Sequence, residues 1–123
     1  MAELRDPTLR VTMLPRDTNA HGTIFGGVIL SHIDLAGAIA ASRQAARNFV
    51  TRAMREVGFI APVYVGDVVS FYTSVVSEGT TSVTIQVIVE AERSKEPRRQ
   101  VKVTEAEVIY VAVDEDGNPT PIR

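Results

Sequence analysis

The sequence predicts an α+β fold in which an antiparallel five-stranded sheet wraps around one long central helix. Three observations lead there. A proline-free stretch rich in alanine opens at Gly26-Gly27 and runs to about Arg47, a composition that favours helix. The apolar period then changes from helical to alternating: Val83, Ile85, Val87 and Val89 are interleaved with Thr84, Gln86, Ile88 and Glu90, as in a strand with one dry face. Turn signals at Pro62–Gly66, Glu78-Gly79-Thr80 and Ser94–Pro97 separate the later strand candidates, and consecutive strands with tight turns pair antiparallel.

Taken in order, the first strand covers Thr8–Leu14 and is stopped by Pro15. A turn-rich loop follows, Arg16–Gly22, holding Asp17, Thr18, Asn19 and Gly22. The helix carries six alanines (Ala36, Ala38, Ala40, Ala41, Ala45 and Ala46), and its apolar residues run nearly all the way round, which describes a helix buried on most sides. Two strands are expected over about Val50–Ile60 and Asp67–Ser77, then the Val83 series, all joined by short hairpin-like connections. In the last strand Val101 and Val103 give way to Ala106, Val108, Tyr110 and Ala112; the phase slip near Thr104-Glu105 suggests a bulge. One helix cannot cover both faces and both edges of such a sheet, and dimerisation would cover the rest.

Composition narrows the function. A chain of 123 residues is expected to form a single domain, 1–123. With 45% hydrophobic and 23% charged residues it has the balance of a folded protein rather than a disordered one. The absence of cysteine excludes disulfides, cysteine nucleophiles and thiolate zinc sites. A net charge of −2 argues against a nucleic-acid partner. The start, Met1–Pro7, is charged where a signal peptide needs an apolar stretch. The apolar run Val28–Ala41 is interrupted by Ser31, His32 and Asp34, so it is no membrane span. A cytoplasmic protein without a membrane partner is expected.

Asp34 is the first candidate for chemistry. Its helical neighbours at i−4, i−3, i+3 and i+4 are Leu30, Ser31, Gly37 and Ala38, so the helix offers no cation to offset its charge. A carboxylate on a largely apolar helix needs stabilisation from elsewhere, from a partner chain or through a functional demand. The pattern alone also fits a side chain that points to solvent or caps a loop. The second candidate is the loop Asn19-Ala20-His21-Gly22-Thr23-Ile24-Phe25-Gly26-Gly27. Its glycines permit close approach to the backbone, and the free N–H groups at the helix start can bind an anion or a developing oxyanion. By itself the loop reads first as a tight turn leading into a helix, with Gly26-Gly27 needed only for packing. It is neither a P-loop nor GxGxxG.

His21 and His32 lie 11 residues apart with no HExxH context, which makes a zinc site improbable. No GxSxG elbow is present. The basic residues Arg93, Lys95, Arg98, Arg99 and Lys102 surround the turn before the last strand. They read as a solvated hairpin tip, with contact to the phosphates of a nucleotide-bearing substrate as the alternative.

Together these residues resemble the hotdog-fold acyl-CoA thioesterases, in particular the acyl-CoA hydrolase family, over almost the whole chain. The resemblance is carried by Met13–Gly27, by Leu30-Ser31-His32-Ile33-Asp34-Leu35-Ala36-Gly37, by Phe59–Val69, and by Val111-Ala112-Val113-Asp114 with Gly117. It implies hydrolysis of acyl-CoA to a free acid and coenzyme A, with no metal and no cofactor beyond the coenzyme A carried by the substrate. It also implies a homodimer with a continuous sheet, assembling further as a trimer of dimers, with active sites drawing on both subunits. Asp34 matches the catalytic carboxylate, as general base or nucleophile, and Asn19 the essential asparagine from the facing subunit. Gly26 and Gly27 match the oxyanion-binding helix start, with Val28, His21 and Phe25 beside the substrate. The chain departs from many relatives at His21, where they carry asparagine, at Val28, where they carry tryptophan, and at Gly58, where a polar side chain is common. Those changes bear on the acyl pocket. Two other readings accompany this one: an acyl-CoA-binding sensor without catalysis, and a hotdog hydroxyacyl-CoA dehydratase using an acid and a histidine.

Overall fold

The structure, a computed structural model, describes residues 5–94 and 99–123. The elements are β1 (Leu9–Thr12), α1 (Gly26–Ser42), β2 (Asn48–Phe59), β3 (Val68–Glu78), β4 (Ser82–Glu92) and β5 (Gln100–Val113), with one 3₁₀ turn at Pro15–Asp17. The strands form a single antiparallel sheet in the order β1-β3-β4-β5-β2.

Alternation explains the sheet. Val83, Ile85, Val87 and Val89 on β4 and Val108 and Tyr110 on β5 are fully buried, as are Phe71 and Val69 on β3. They face Ile29, Ile33, Ala36 and Ala40 of α1, and these two layers make the core. Burying each large apolar side chain contributes about 1.5–3 kcal/mol, so this interface dominates the stability of the chain. The small residues Ala36 and Ala40 let the helix lie close to the sheet. The bulge in β5 falls at Val103: Val89 pairs with Thr104 while Glu90 pairs with Lys102. That is one residue from the expected slip.

Two expectations need correction. The helix ends at Ser42, not near Arg47. Although alanine favours continuation, residue 48 must start β2 opposite Val113. The turn that accomplishes this is held by the C-terminal tail: Arg47 Nε donates to the Pro121 carbonyl (2.9 Å) and Arg123 to the Gln44 carbonyl (3.1 Å). Tertiary contacts thus override propensity.

Second, β2 and β3 do not form a hairpin. β2 pairs with β5 at one edge, while β3 lies between β1 and β4. The segment from Ile60 to Asp67 crosses the fold, anchored by Ile60 N–H to Val103 O (2.7 Å), Ile24 N–H to Val63 O (2.8 Å) and Gly66 N–H to Met13 O (2.9 Å). Its buried Asp67 accepts hydrogen bonds from the Tyr64 N–H (2.9 Å) and from Arg93.

As expected of a helix covered on most sides, α1 is exposed only along the stripe Ser31, Leu35 and Ser42, with Leu35 50% exposed. Val50, Val57 and Phe59 on the edge strand β2 are exposed as well. No helix among the described residues is long and apolar enough to cross a membrane.

Candidate active site

Asp34 lies on α1, half-buried, where the helix passes over β2 and β5. Thr51 on β2 and Tyr110 on β5 are direct cross-strand partners, so their side chains rise from the same face of the sheet. Both hydroxyls converge on this aspartate. Thr51 Oγ1 donates to Asp34 Oδ1 at 2.7 Å. The Tyr110 hydroxyl lies 2.7 Å from the Asp34 main-chain carbonyl and 3.2 Å from Oδ1. Oδ2 has no partner among the described residues. The carboxylate that the helix leaves without a cation is therefore held by two neutral donors from the sheet.

Tyr110 is fully buried. Burial, the nearby Asp34 charge and the hydrogen bond to it all push its phenol far above the usual value of 10.0. It stays protonated, and hence a donor, throughout the ordinary pH range. Gly37, one turn beyond Asp34, makes room for it: a Cβ there would overlap the Tyr110 hydroxyl and lie 2.9 Å from ring atoms.

The helix start is a separate region. Phe25 is the N-cap residue and offers no side-chain bond; no acidic residue occupies the first turn. The Gly26 and Gly27 N–H groups have no acceptor among the described residues, as expected of the unsatisfied amides that begin a helix. Phe25, 57% exposed, lays its ring over Gly27, where an added Cβ would come within 2.6 Å of it. The Phe59 ring passes Gly26 at 3.5 Å from the corresponding position. Together with Ile24, Ile60, Ala61 and Pro62 it lines a cavity of about 310 Å³ beside the helix start. Val28 packs against the core, and its carbonyl accepts from Ser31 Oγ and His32 Nδ1, each at 2.8 Å.

Asn19 organises the approach to that helix. Its Oδ1 accepts from the N–H groups of His21 (2.8 Å) and Thr23 (3.2 Å), and Nδ2 donates to Thr23 Oγ1 (2.9 Å). One Nδ2 proton is left for another acceptor. His21 is exposed on this loop. Within one chain, Asp34 and Asn19 share no hydrogen bond and no partner. His32 stacks on Phe71, and neither histidine is bonded to Asp34.

The basic cluster does not behave as a unit. Arg93 is drawn inward: it pairs with buried Asp67, donates to the Pro62 carbonyl (3.1 Å) and lies over the Tyr64 ring. This corrects its assignment to a solvated tip. Lys102 pairs with Glu105 at 3.0 Å and Arg99 is exposed; Lys95 and Arg98 lie outside the described residues.

Sequence reading missed Thr51, Tyr110, Gly37 and Phe59 as parts of these two regions. The signal available was the alternation that puts Tyr110 on the dry face of β5. Its pairing with Thr51 and its reach to Asp34 depend on strand order.

Comparisons with known proteins identify the family and the fold. The model of the thioesterase superfamily matches residues 21–97. The acyl-CoA thioester hydrolase YciA of Salmonella typhimurium is 47% identical over 116 residues, covering 93% of this chain and 87% of that protein. YciA of Escherichia coli is 46% identical, covering 93% and 88%. A hexameric hotdog fold thioesterase of Campylobacter jejuni has a TM-score of 0.92 at 45% identity, with 97% of this chain and 91% of that chain covered. The hexameric thioesterase y2039 from Yersinia pestis gives 0.90 at 39% identity, covering 96% and 95%. A family match over more than half of the chain, and relatives nearly half identical along most of it, show that this protein belongs to the thioesterase superfamily and has the hotdog fold.

Proposed function

We propose that this chain is an acyl-CoA thioesterase, hydrolysing an acyl-CoA to the free carboxylic acid and coenzyme A, with Asp34 as the reacting carboxylate. The observation that carries the assignment of Asp34 is its hydrogen bonding: Oδ1 is held by two hydroxyls and Oδ2 is uncommitted. Such a carboxylate can take the proton of an attacking water, or attack the thioester carbon itself to give a mixed anhydride that water then opens. In both routes the acyl–sulfur bond breaks and coenzyme A leaves as a thiolate; the oxygen the acid gains comes from water directly, or from Asp34, whose own oxygen water then replaces. A thiolate leaves readily, so a dedicated general acid is not required. The free Gly26 and Gly27 amides hold the oxyanion, a role worth about 3–4 kcal/mol per donor in comparable sites.

Helix geometry argues that two copies build each site. Seven residues separate Gly27 from Asp34, about 10 Å of helix at ~1.5 Å per residue. A reacting carbonyl needs its attacking group and its oxyanion donors each within about 3 Å. One chain cannot supply both, whereas Asp34 of one copy and the helix start of another can. Asn19, which shapes the loop before that helix, then belongs to the same copy as the oxyanion donors. The exposed apolar residues Leu35, Val50, Val57 and Phe59 supply the surface for that pairing. The hexameric assembly of the Campylobacter jejuni and Yersinia pestis thioesterases supports a trimer of dimers.

The test is thiol release from a panel of acyl-CoAs, with Asp34→Ala and Asn19→Ala as controls. Turnover that Asp34→Ala lowers by about 10²–10⁴-fold supports the proposal. Saturable acyl-CoA binding without thiol release would instead identify a sensor. Loss of water from a hydroxyacyl-CoA with no free thiol would identify a dehydratase. A single turnover in ¹⁸O-water locates the carbon that water attacks: label entering the Asp34 carboxylate marks an anhydride opened at the aspartyl carbon, and label in the acid alone marks water attack at the acyl carbon.

A further inference from the structure

We infer that Tyr110 is a positioning residue for the hydrolysis: its hydroxyl, bridging the main-chain carbonyl and the carboxylate of Asp34, fixes that carboxylate's orientation. The inference rests on the reading of Asp34 proposed above and deepens it. Three features of the fold support it.

The first is the contact itself, 2.7 Å to the carbonyl and 3.2 Å to Oδ1. A hydroxyl carries one proton, so it is shared between the two oxygens. A helix carbonyl at this depth already accepts the N–H four residues ahead, and the backbone does not depend on the tyrosine. The second feature is Gly37, which alone leaves space for the hydroxyl against the helix. An apolar ring of the same shape would fill this volume without burying a polar atom. The third is register: Tyr110 and Thr51 are paired across β2 and β5, so two donors from one rung of the sheet grip Oδ1 and leave Oδ2 free.

Few other charges bear on this carboxylate. On α1, His32 is turned away onto the Val28 carbonyl. On β2, Arg55 is paired with Glu107 of β5, and Arg52 forms no ion pair or hydrogen bond with Asp34. On β3 and β4 the side chains facing α1 are apolar: Val69, Phe71, Val83, Ile85, Val87 and Val89. Tyr110 is thus the titratable group in contact with Asp34, and burial beside that charge keeps it protonated.

The experiment compares full-length wild type, Tyr110→Phe and Asp34→Asn in steady-state acyl-CoA hydrolysis, with the Tm of each. Tyr110→Phe is expected to lower kcat about tenfold with KM within about twofold. A merely structural role would lower the Tm and the folded fraction and leave kcat per folded active site unchanged. Replacing Tyr110 with a ring-fluorinated tyrosine, a stronger donor of nearly unchanged shape, is expected to change kcat with KM within about twofold; this variant decides the matter where the phenylalanine protein does not fold. An unchanged kcat in the folded variants, with Asp34→Asn inactive, overturns this inference alone. Full turnover by Asp34→Asn overturns the underlying role of Asp34 and this inference with it.

Discussion

Gly37 and Tyr110 occupy complementary positions: the missing side chain of the glycine is the space into which the tyrosine hydroxyl reaches to meet Asp34. The two residues are far apart in sequence and belong to different layers of the fold. Their match sets how closely the helix approaches β5 at the candidate catalytic carboxylate.

Gly37→Ala is therefore expected to destabilise the protein even though alanine is the better helix former. The propensity gain is about 1 kcal/mol, while overpacking a close contact costs about 1–3 kcal/mol. A net loss of about 1 kcal/mol, read as a lower Tm at fixed protein concentration, is the expected outcome. An unchanged or raised Tm would show that the helix moves aside freely.

Thr51→Val removes the 2.7 Å donor to Asp34 Oδ1 while keeping the side-chain shape. A hydrogen bond to a charged group contributes about 1.5–3 kcal/mol, so kcat should fall by about tenfold or more. Thr51→Ser, which retains the hydroxyl, should recover most of the activity. Steady-state kinetics on the pair checks this, and equal activity of the valine and serine variants would contradict it.

Tyr110 also shapes alkaline stability. Its phenol is raised well above the ordinary value of 10.0 by burial and by Asp34. Below pH 10 both folded and unfolded chains hold the proton, and its contribution to stability is fully present. Above that value the unfolded chain releases the proton and the folded one does not, so stability is lost by about 1.4 kcal/mol per pH unit as pH rises toward the folded pKa. Chemical denaturation between pH 9 and about 11 should show a shallower decline for Tyr110→Phe than for wild type. Parallel slopes would mean that the phenol ionises equally in both states.

Arg93→Ala leaves Asp67, 2% exposed, without its cation. Breaking a buried pair from one side typically costs about 3–5 kcal/mol. The same change removes the bond to the Pro62 carbonyl, which helps hold the crossing segment beside the helix start. A large drop in the urea midpoint is expected, with Arg93→Lys only partly restoring it because an ammonium lacks the guanidinium fork. A midpoint within error of wild type would remove Arg93 from the structural framework.

Local chemistry reached a long way in this protein. Alternation along Val83–Glu90, the glycines before the helix and the slip in the last strand are read from neighbours a few residues apart, and the structure has all of them within a residue or two. Asp34 was visible for the same reason, because the absence of a helical cation is a matter of i±3 and i±4 spacing. The place where α1 stops was not visible, since Pro121 and Arg123 settle it from the other end of the chain. Nor was the separation of β2 from β3, which depends on which sheet edge is left open after β3, β4 and β5 have paired. The partners of Asp34 belong to this second kind. Thr51 and Tyr110 become neighbours only when β2 pairs with β5 in one register, and a single-residue slip would turn both hydroxyls to the other face. Short-range spacing wrote the elements and exposed the lone carboxylate; non-local strand pairing supplied the donors that hold it.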